Sequence, residues 1–227
     1  MNILPVVVLY NIDYREQNAF LTLLSQQEGC RILLYENSPE PMNQSYASET
    51  VAYYHDAHNG GVSAAYNYGA ELADRLGDVD ALLLLDEDTR FEADYLSRLQ
   101  SAMEQNPDVS LFVPQVLYAG DEPFSPIHRG LRWKRGAWLG EGRYSLRHYL
   151  PVNSGACIRL SAFRQAEGYQ TTIRLDFADF DFFSRLAEVS ETFYRVDSVA
   201  RQSFSNEETQ VDRLFRRYQF YLEGASV

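Results

Sequence analysis

Two cysteines in 227 residues leave no room for a disulfide framework. Cys30 and Cys157 fit no metal or redox spacing, so they read as reduced, mostly buried thiols of a cytosolic protein. Basic residues are also scarce: 20 Lys and Arg stand against 32 Asp and Glu, a formal charge of -12. That balance argues against nucleic acid as a partner of the whole chain. No apolar stretch approaches the ~20 residues that a membrane helix needs. The opening MNILPVVVLYN lacks a basic leader and reads as a first buried strand rather than a signal peptide. The four histidines, His55, His58, His128 and His148, show no ligand spacing with one another. No repeat, low-complexity tract or linker divides the chain.

What is present is a globular composition. Hydrophobic residues make up 45%, with 16 Tyr and 13 Phe, enough to fill a core and line a cleft. A chain of this length buries roughly 70% of its unfolded surface and needs no cross-links. The expectation is one domain over 1–227, with halves at 1–115 and 116–200 and a last helix over 205–224.

The order of elements follows from periodicity. Val6 to Tyr10 is a continuous β-branched run, as in a parallel strand covered on both faces. Asp13 with Glu16 resembles a capping box that opens a helix through about Gln27. Strands follow at Arg31–Tyr35 and Val51–His55. After the glycines of "HNGG", Val62, Ala65, Tyr66, Gly69, Leu72, Ala73 and Leu76 recur at helical spacing, and Gly77 ends the helix. Ala81–Leu85 is a strand, Tyr95–Gln105 a helix and Val109–Val113 a strand. Residues 119–150 keep no period and read as irregular strands and loops. Ser205 with Glu208 opens the last helix. The alternation predicts an α/β fold, a mostly parallel central sheet with helices on both faces. Ligands of such sheets bind at the carboxyl ends of the strands. Tyr10-Asn11, Glu36-Asn37 and Asp86–Asp88 all fall there.

"LLLLDEDTRF", residues 82–91, sets three acids behind four leucines. Adjacent carboxylates repel, so such a cluster needs a cation or a solvated loop. Asp86 and Asp88 are two apart and point the same way on an extended chain. This D-x-D pair suits Mg²⁺ or Mn²⁺ with water and phosphate oxygens completing the shell; a plain acidic turn fits the stretch equally. Asn59, Gly60 and Gly61 open a helix, whose free N–H groups and dipole suit an anion. A metal site and an anion site on one edge together suggest a diphosphate.

"VVVLYN", "ENS", "HNGGVSAAYNYG" and "LLLLDEDT" resemble, in order and spacing, the nucleotide-sugar half of family 2 glycosyltransferases with the GT-A fold. "NSGACI" at 153–158 and "RLDFADFDFFSRL" at 174–186 are similar to the acceptor half. The nearest likeness is to bacterial rhamnosyltransferase-like members, and it runs from residue 3 to about 186. The resemblance implies an inverting, metal-dependent transferase, with dTDP-L-rhamnose as favoured donor and a UDP-hexose next. The implied acceptor is a saccharide or lipid-linked saccharide of cell-surface polysaccharide synthesis. It implies that Tyr10 packs on the base, Asn11 lies beside it and Glu36 bonds the base edge, where the family more often has Asp. It implies that Asp88 is the main metal ligand and that Asp86 meets the ribose or the metal. Asp179 matches the family's general base, flanked by Asp176 and Asp181 on the acceptor side. Ser154-Gly155 resembles the turn beside the acceptor sugar, and Trp133 and Trp138 are aromatic faces for it. Core packing and helix capping are the plain alternatives for these aromatics and acids.

Many relatives carry a histidine after the final strand as a further metal ligand; here "VARQSFSN" has none. Arg213, Arg216 and Arg217 share a helix face. They offer either a peripheral contact with membrane phosphates, from the cytoplasmic side, or a solvated or dimer face. Haloacid dehalogenase phosphatases also end an apolar strand in two aspartates. They need D-x-D-x-[TV] near the N-terminus, and here Thr89 comes one place early, at the fourth or fifth strand. The remaining alternative is a catalytically inactive nucleotide-sugar-binding homologue.

Overall fold

The computed structural model describes residues 1–27, 29–118, 121–129 and 136–202. The expected last helix with its three arginines lies outside the described residues, as does Trp133.

The first apolar run forms β1 (Ile3–Leu9), buried from Leu4 onward. It pairs in parallel with β2 (Ile32–Glu36), which pairs in parallel with β3 (Val51–His55). On its other side β1 pairs in parallel with β4 (Ala81–Asp86). Side chains alternate across such strands, so each run of branched residues feeds two cores. Val6, Val8, Leu33, Leu82 and Leu84 meet Ala65, Tyr66, Ala70 and Ala73 of the helix over Gly61–Leu76. Val7, Leu9, Leu34, Leu83 and Leu85 meet Leu21 and Leu24 on one helix and Leu96 and Leu99 on another, over Tyr95–Gln105. Each such side chain contributes about 1.5–3 kcal/mol on full burial.

The single helix expected after Asp13 is two: α1 (Tyr14–Gln17) and α2 (Ala19–Gln26). Asn18 breaks it. Its backbone is extended, its Oδ1 accepts from Phe20 N at 3.1 Å, and its Nδ2 donates to Thr89 O at 2.6 Å. An asparagine that caps one helix while holding a neighbouring strand outcompetes the helical hydrogen bond. The helices over Gly61–Leu76 and Tyr95–Gln105 are α3 and α4.

Beyond β4 come β5 (Thr89–Phe91), β6 (Leu111–Tyr118), short strands β7 (Glu122–Ser125), β8 (Ile127–His128), β9 (Gly142–Ser145) and β10 (Tyr149–Leu150), then β11 (Cys157–Arg159). Helices α5 (Leu160–Gln165) and α6 (Ala178–Val189) precede the long β12 (Thr192–Gln202). The sheet order is β3-β2-β1-β4-β11-β6-β12-β5. β11 runs antiparallel to both neighbours, so it wedges between the parallel block of β1–β4 and the parallel pair β6–β12. Cys157 is buried in it and Cys30 is half-buried; both are free, and burial pushes both thiols up. No helix among the described residues is long and apolar enough to cross a membrane.

Candidate active site

Register aligns the expected polar clusters. Leu9 pairs with Glu36, and Val8 with Asp86, so the chain ends of β1, β2 and β4 share one edge. β6 reaches the same edge. Cys157 is level with Leu83 on one side and Phe112 on the other, so Gln115 stands level with Asp86. Gln115 is fully buried. It donates to Ser125 O and Ala137 O and accepts from Leu139 N, which fastens the 137–139 loop to this edge. Trp138, 60% exposed, rides on that loop.

Just beyond β1, Tyr10 is half-buried and Asn11 adopts a left-handed φ of 56°, its N–H donating to Ser38 Oγ at 2.8 Å. Glu36 is wholly buried. Ser38 Oγ, Met42 N, Asn43 N, Asn43 Nδ2 and Tyr53 OH all donate to its carboxylate, at 2.7–3.2 Å. Burial alone would raise its pKa, and these donors outweigh it and hold it below the usual range. A carboxylate has about four lone-pair sites, and these donors occupy them. Glu36 is thereby engaged within the chain itself. It organises the 37–43 loop, and Asn43 extends that order by bonding Ile12 O and Tyr14 N. Glu36→Ala leaves buried donors without partners. It is expected to cost about 3 kcal/mol or more in calorimetric unfolding.

The start of α3 is also engaged. Gly60 N donates to Asp56 Oδ2 at 2.8 Å, and Val62 N to Arg174 O at 2.9 Å. Ser63 Oγ donates to Ile173 O. Two N–H groups at the turn that sequence marks for an anion therefore serve the chain itself. Asp56 is the anion in place, its pKa held down against burial by Gly60, Tyr35 and His58. Asn59 and Gly61 take φ values of 51° and 73°. A Cβ on Gly61 would sit 2.0 Å from Arg174 O, so only glycine permits this close approach.

The acids of the β4–β5 turn and of α6 act on one another electrostatically. β4 ends at Asp86, the chain turns through Glu87 and Asp88, and β5 starts at Thr89. Burial pushes the Tyr66 phenol up, and the charges of Asp86, Asp179, Glu87 and Asp88 act the same way, so all four acids lie within electrostatic reach of one buried ring of α3. Asp179 lies in the first turn of α6. Burial pushes its carboxyl up to about 7, against a hydrogen bond from Phe180 N at 2.9 Å and with help from the charges of Asp176 and Asp86. Burial and the charge of Asp88 push Glu87 up to about 8. Burial also raises Asp86, opposed by the hydroxyls of Thr89 and Ser154.

Other expected site residues have partners within the chain. Asp181 is paired to Arg185 at 2.7 Å, one helical turn on, and accepts from Gln170 Nε2. That pairing is a helix-stabilising i,i+4 ion pair. Asp176 is half-buried beside Asp179. Ser154 and Gly155 are buried and turn inward: Ser154 Oγ donates to Asp86 Oδ2, and Tyr95 OH donates to Gly155 O. Among the described residues no three His, Cys, Asp or Glu side chains converge as a metal site. Sequence reasoning passed over Asp56, whose Oδ1 accepts from His58 N at 3.0 Å, the Asx-type turn that an aspartate in a loop readily forms.

A family model for glycosyl transferase family 2 matches residues 8–165. The dTDP-rhamnosyl transferase RfbF of Shigella flexneri is 23% identical over 190 residues, covering 81% of this chain and 62% of that protein. The chain thus spans less than two thirds of that relative's length. Among solved structures, S. aureus TarS 1–349 in complex with UDP superposes with a TM-score of 0.67 at 11% identity, over 89% of this chain and 61% of that one. GalNAc-T7 with UDP, GalNAc and Mn²⁺ does so with 0.59 at 12% identity, over 89% and 44%. Likeness at such identities is a likeness of fold, here the GT-A α/β fold with its mostly parallel sheet. The family match takes in the ends of β1, β2, β4 and β6 at this edge and stops before Asp179 and β12, and the chain belongs to glycosyl transferase family 2.

Proposed function

We propose that this chain is an inverting, metal-dependent transferase that moves a sugar from a nucleoside-diphosphate sugar to a hydroxyl of a saccharide acceptor. The favoured donor is dTDP-L-rhamnose, in keeping with the name of the Shigella relative, and a UDP-hexose is next. The acceptor is a saccharide, free or lipid-linked, in cell-surface polysaccharide synthesis, which would bring the enzyme to the inner face of the membrane.

One observation carries the reading: Asp179 in the first turn of α6, pushed up to about 7 by burial, lies within electrostatic reach of Asp176 and Asp86. A carboxyl with that pKa is matched to proton abstraction near neutrality. It would take the proton of the acceptor hydroxyl as that oxygen attacks the anomeric carbon. The carbon's bond to the diphosphate breaks on the opposite face, and the configuration inverts in one displacement. Tyr10 and Asn11 would border the base, and Trp138 offers an exposed face to the acceptor sugar.

Asp86 and Asp88 fit a divalent ion. Asp86 Oδ1 is buried with no hydrogen bond, as befits an oxygen kept for a ligand. Mg²⁺ or Mn²⁺ held by these two carboxylates and the donor's own oxygens would neutralise the departing diphosphate.

A thermal-shift screen of dTDP, UDP, GDP and CMP, with and without Mn²⁺, tests this. One nucleotide is expected to stabilise the wild type only with metal, by roughly 2.7 kcal/mol at 100 times its dissociation constant. Asp88→Ala is expected to lose that shift. No shift with any nucleotide overturns the donor site. A shift without any transfer favours the alternative, an inactive nucleotide-sugar-binding homologue.

A further inference from the structure

Asp86 is held from one side only. Its Oδ2 accepts from Ser154 Oγ at 2.8 Å and, over a longer contact, from Gln202 Nε2 at 3.4 Å. Gln202 Oε1 also lies 3.2 Å from Ser154 Oγ. That hydroxyl has one proton, and the shorter, charge-assisted contact with the carboxylate takes it. Thr89's hydroxyl stands beside the same carboxylate and lowers its pKa without a well-formed hydrogen bond. Asp86 Oδ1 has no hydrogen bond at all.

The two anchoring residues come from distant parts of the chain, and each is itself fixed. Ser154 is 3% exposed. The next residue, Gly155, donates its N–H to Leu84 O at 2.9 Å and receives Tyr95 OH at 2.5 Å. Its φ is 79°, and a Cβ there would lie 2.5 Å from the Phe91 ring. Gln202 pairs with Thr89 in the β12–β5 ladder. Both residues are thus anchored through the backbone on either side of Asp86.

We propose that Ser154 and Gln202 are positioning residues for Asp86: they pin Oδ2 and so leave Oδ1 as the oxygen presented to the metal–nucleotide pair. The inference rests on the donor-site reading above. It replaces an acceptor contact for Ser154 with a role beneath the donor.

The test is calorimetric titration of UDP and dTDP, each with and without Mn²⁺, into wild type, Ser154→Ala, Gln202→Leu and Asp86→Ala, alongside the melting temperature of each free protein. Ser154→Ala is expected to weaken the Mn²⁺-dependent binding about tenfold or more, the scale of one charge-assisted hydrogen bond, and to leave metal-free binding and melting near wild type. Gln202→Leu, on the weaker contact, is expected to lose about threefold in the same way. It reports on the clamp even where Ser154→Ala fails to fold. Full Mn²⁺-dependent affinity in both variants, while Asp86→Ala loses it, overturns the clamp and spares the donor site. Equal losses with and without metal, with lowered melting, also overturn it, because they mark a merely structural role. Undiminished binding by Asp86→Ala overturns the donor reading, and the clamp with it.

Discussion

Asp179→Asn is expected to cut sugar transfer by about 10²–10⁴-fold while donor affinity stays nearly unchanged. The asparagine keeps the shape and cannot accept the acceptor's proton. In the wild type, kcat/KM is expected to rise with pH through about 7 and then level, because the base must be ionised in the free enzyme. The same substitution changes stability with a defined sign. Asp179 is raised in the folded state, so between about 4 and 7 the folded protein holds a proton that the unfolded chain has released. Stability therefore falls as pH rises across that window. Asp179→Asn removes the loss, and the variant is expected to melt above wild type at pH 8 and level with it near pH 3. The full shift corresponds to ~4 kcal/mol, and the carboxyl's partial exposure reduces this to about 1–2 kcal/mol. A variant with full turnover would remove Asp179 as the base; one that melts lower than wild type at pH 8 would remove the claim that its ionised form is strained.

Gly61→Ala is expected to be the most damaging substitution that adds a single methyl group. Two costs combine. The left-handed φ of 73° disfavours any Cβ by about 1–2 kcal/mol. The new atom would also meet the Arg174 carbonyl at 2.0 Å, a rigid backbone group, and moving that segment costs roughly another 1–3 kcal/mol. At ~2–4 °C per kcal/mol for a domain of this size, melting should fall by about 4–20 °C. Gly77→Ala separates the two costs. Its φ is 76°, yet nothing lies within 4 Å of its Cβ position, so only the backbone penalty applies. If both variants melt alike, the packing of α3 against residues 173–174 is not what holds that loop. Because Asp179 begins its helix a few residues later, Gly61→Ala should also depress transfer in the fraction that remains folded.

The sequence disclosed those features whose cause is local. Val6–Leu9 and Leu82–Leu85 are strands because their side chains suit burial on both faces, and α3 is a helix because its apolar residues recur every third or fourth place. That Asp86 and Asp179 act on one another electrostatically follows from no local rule, since the two are 93 residues apart, and the resemblance alone suggests it. What stayed hidden depends on partners far along the chain. β11 has three residues and is a strand only because β4 and β6 flank it. Glu36 looked available because its partners at Met42 and Asn43 donate largely through backbone N–H groups, which no residue pattern announces. Ser154 looked like a surface turn, and its inward direction follows from Gly155 packing under Phe91. Asp181 is different: its ion pair with Arg185 is a plain i,i+4 spacing, visible in the sequence and outweighed there by the motif.

The antiparallel wedge has a consequence for how the protein is made. β4 is the innermost strand of the parallel block, and β11 closes its free edge. At ~5–20 residues per second, several seconds of translation separate residue 86 from residue 157. Through that interval the nascent amino-terminal block displays an unpaired rim of leucines, Leu82 to Leu85, able to recruit any passing strand. The strand that closes the middle of the sheet is thus one of the two shortest in the strand order, and the newborn chain depends on three residues, Cys157 to Arg159, to seal its stickiest border.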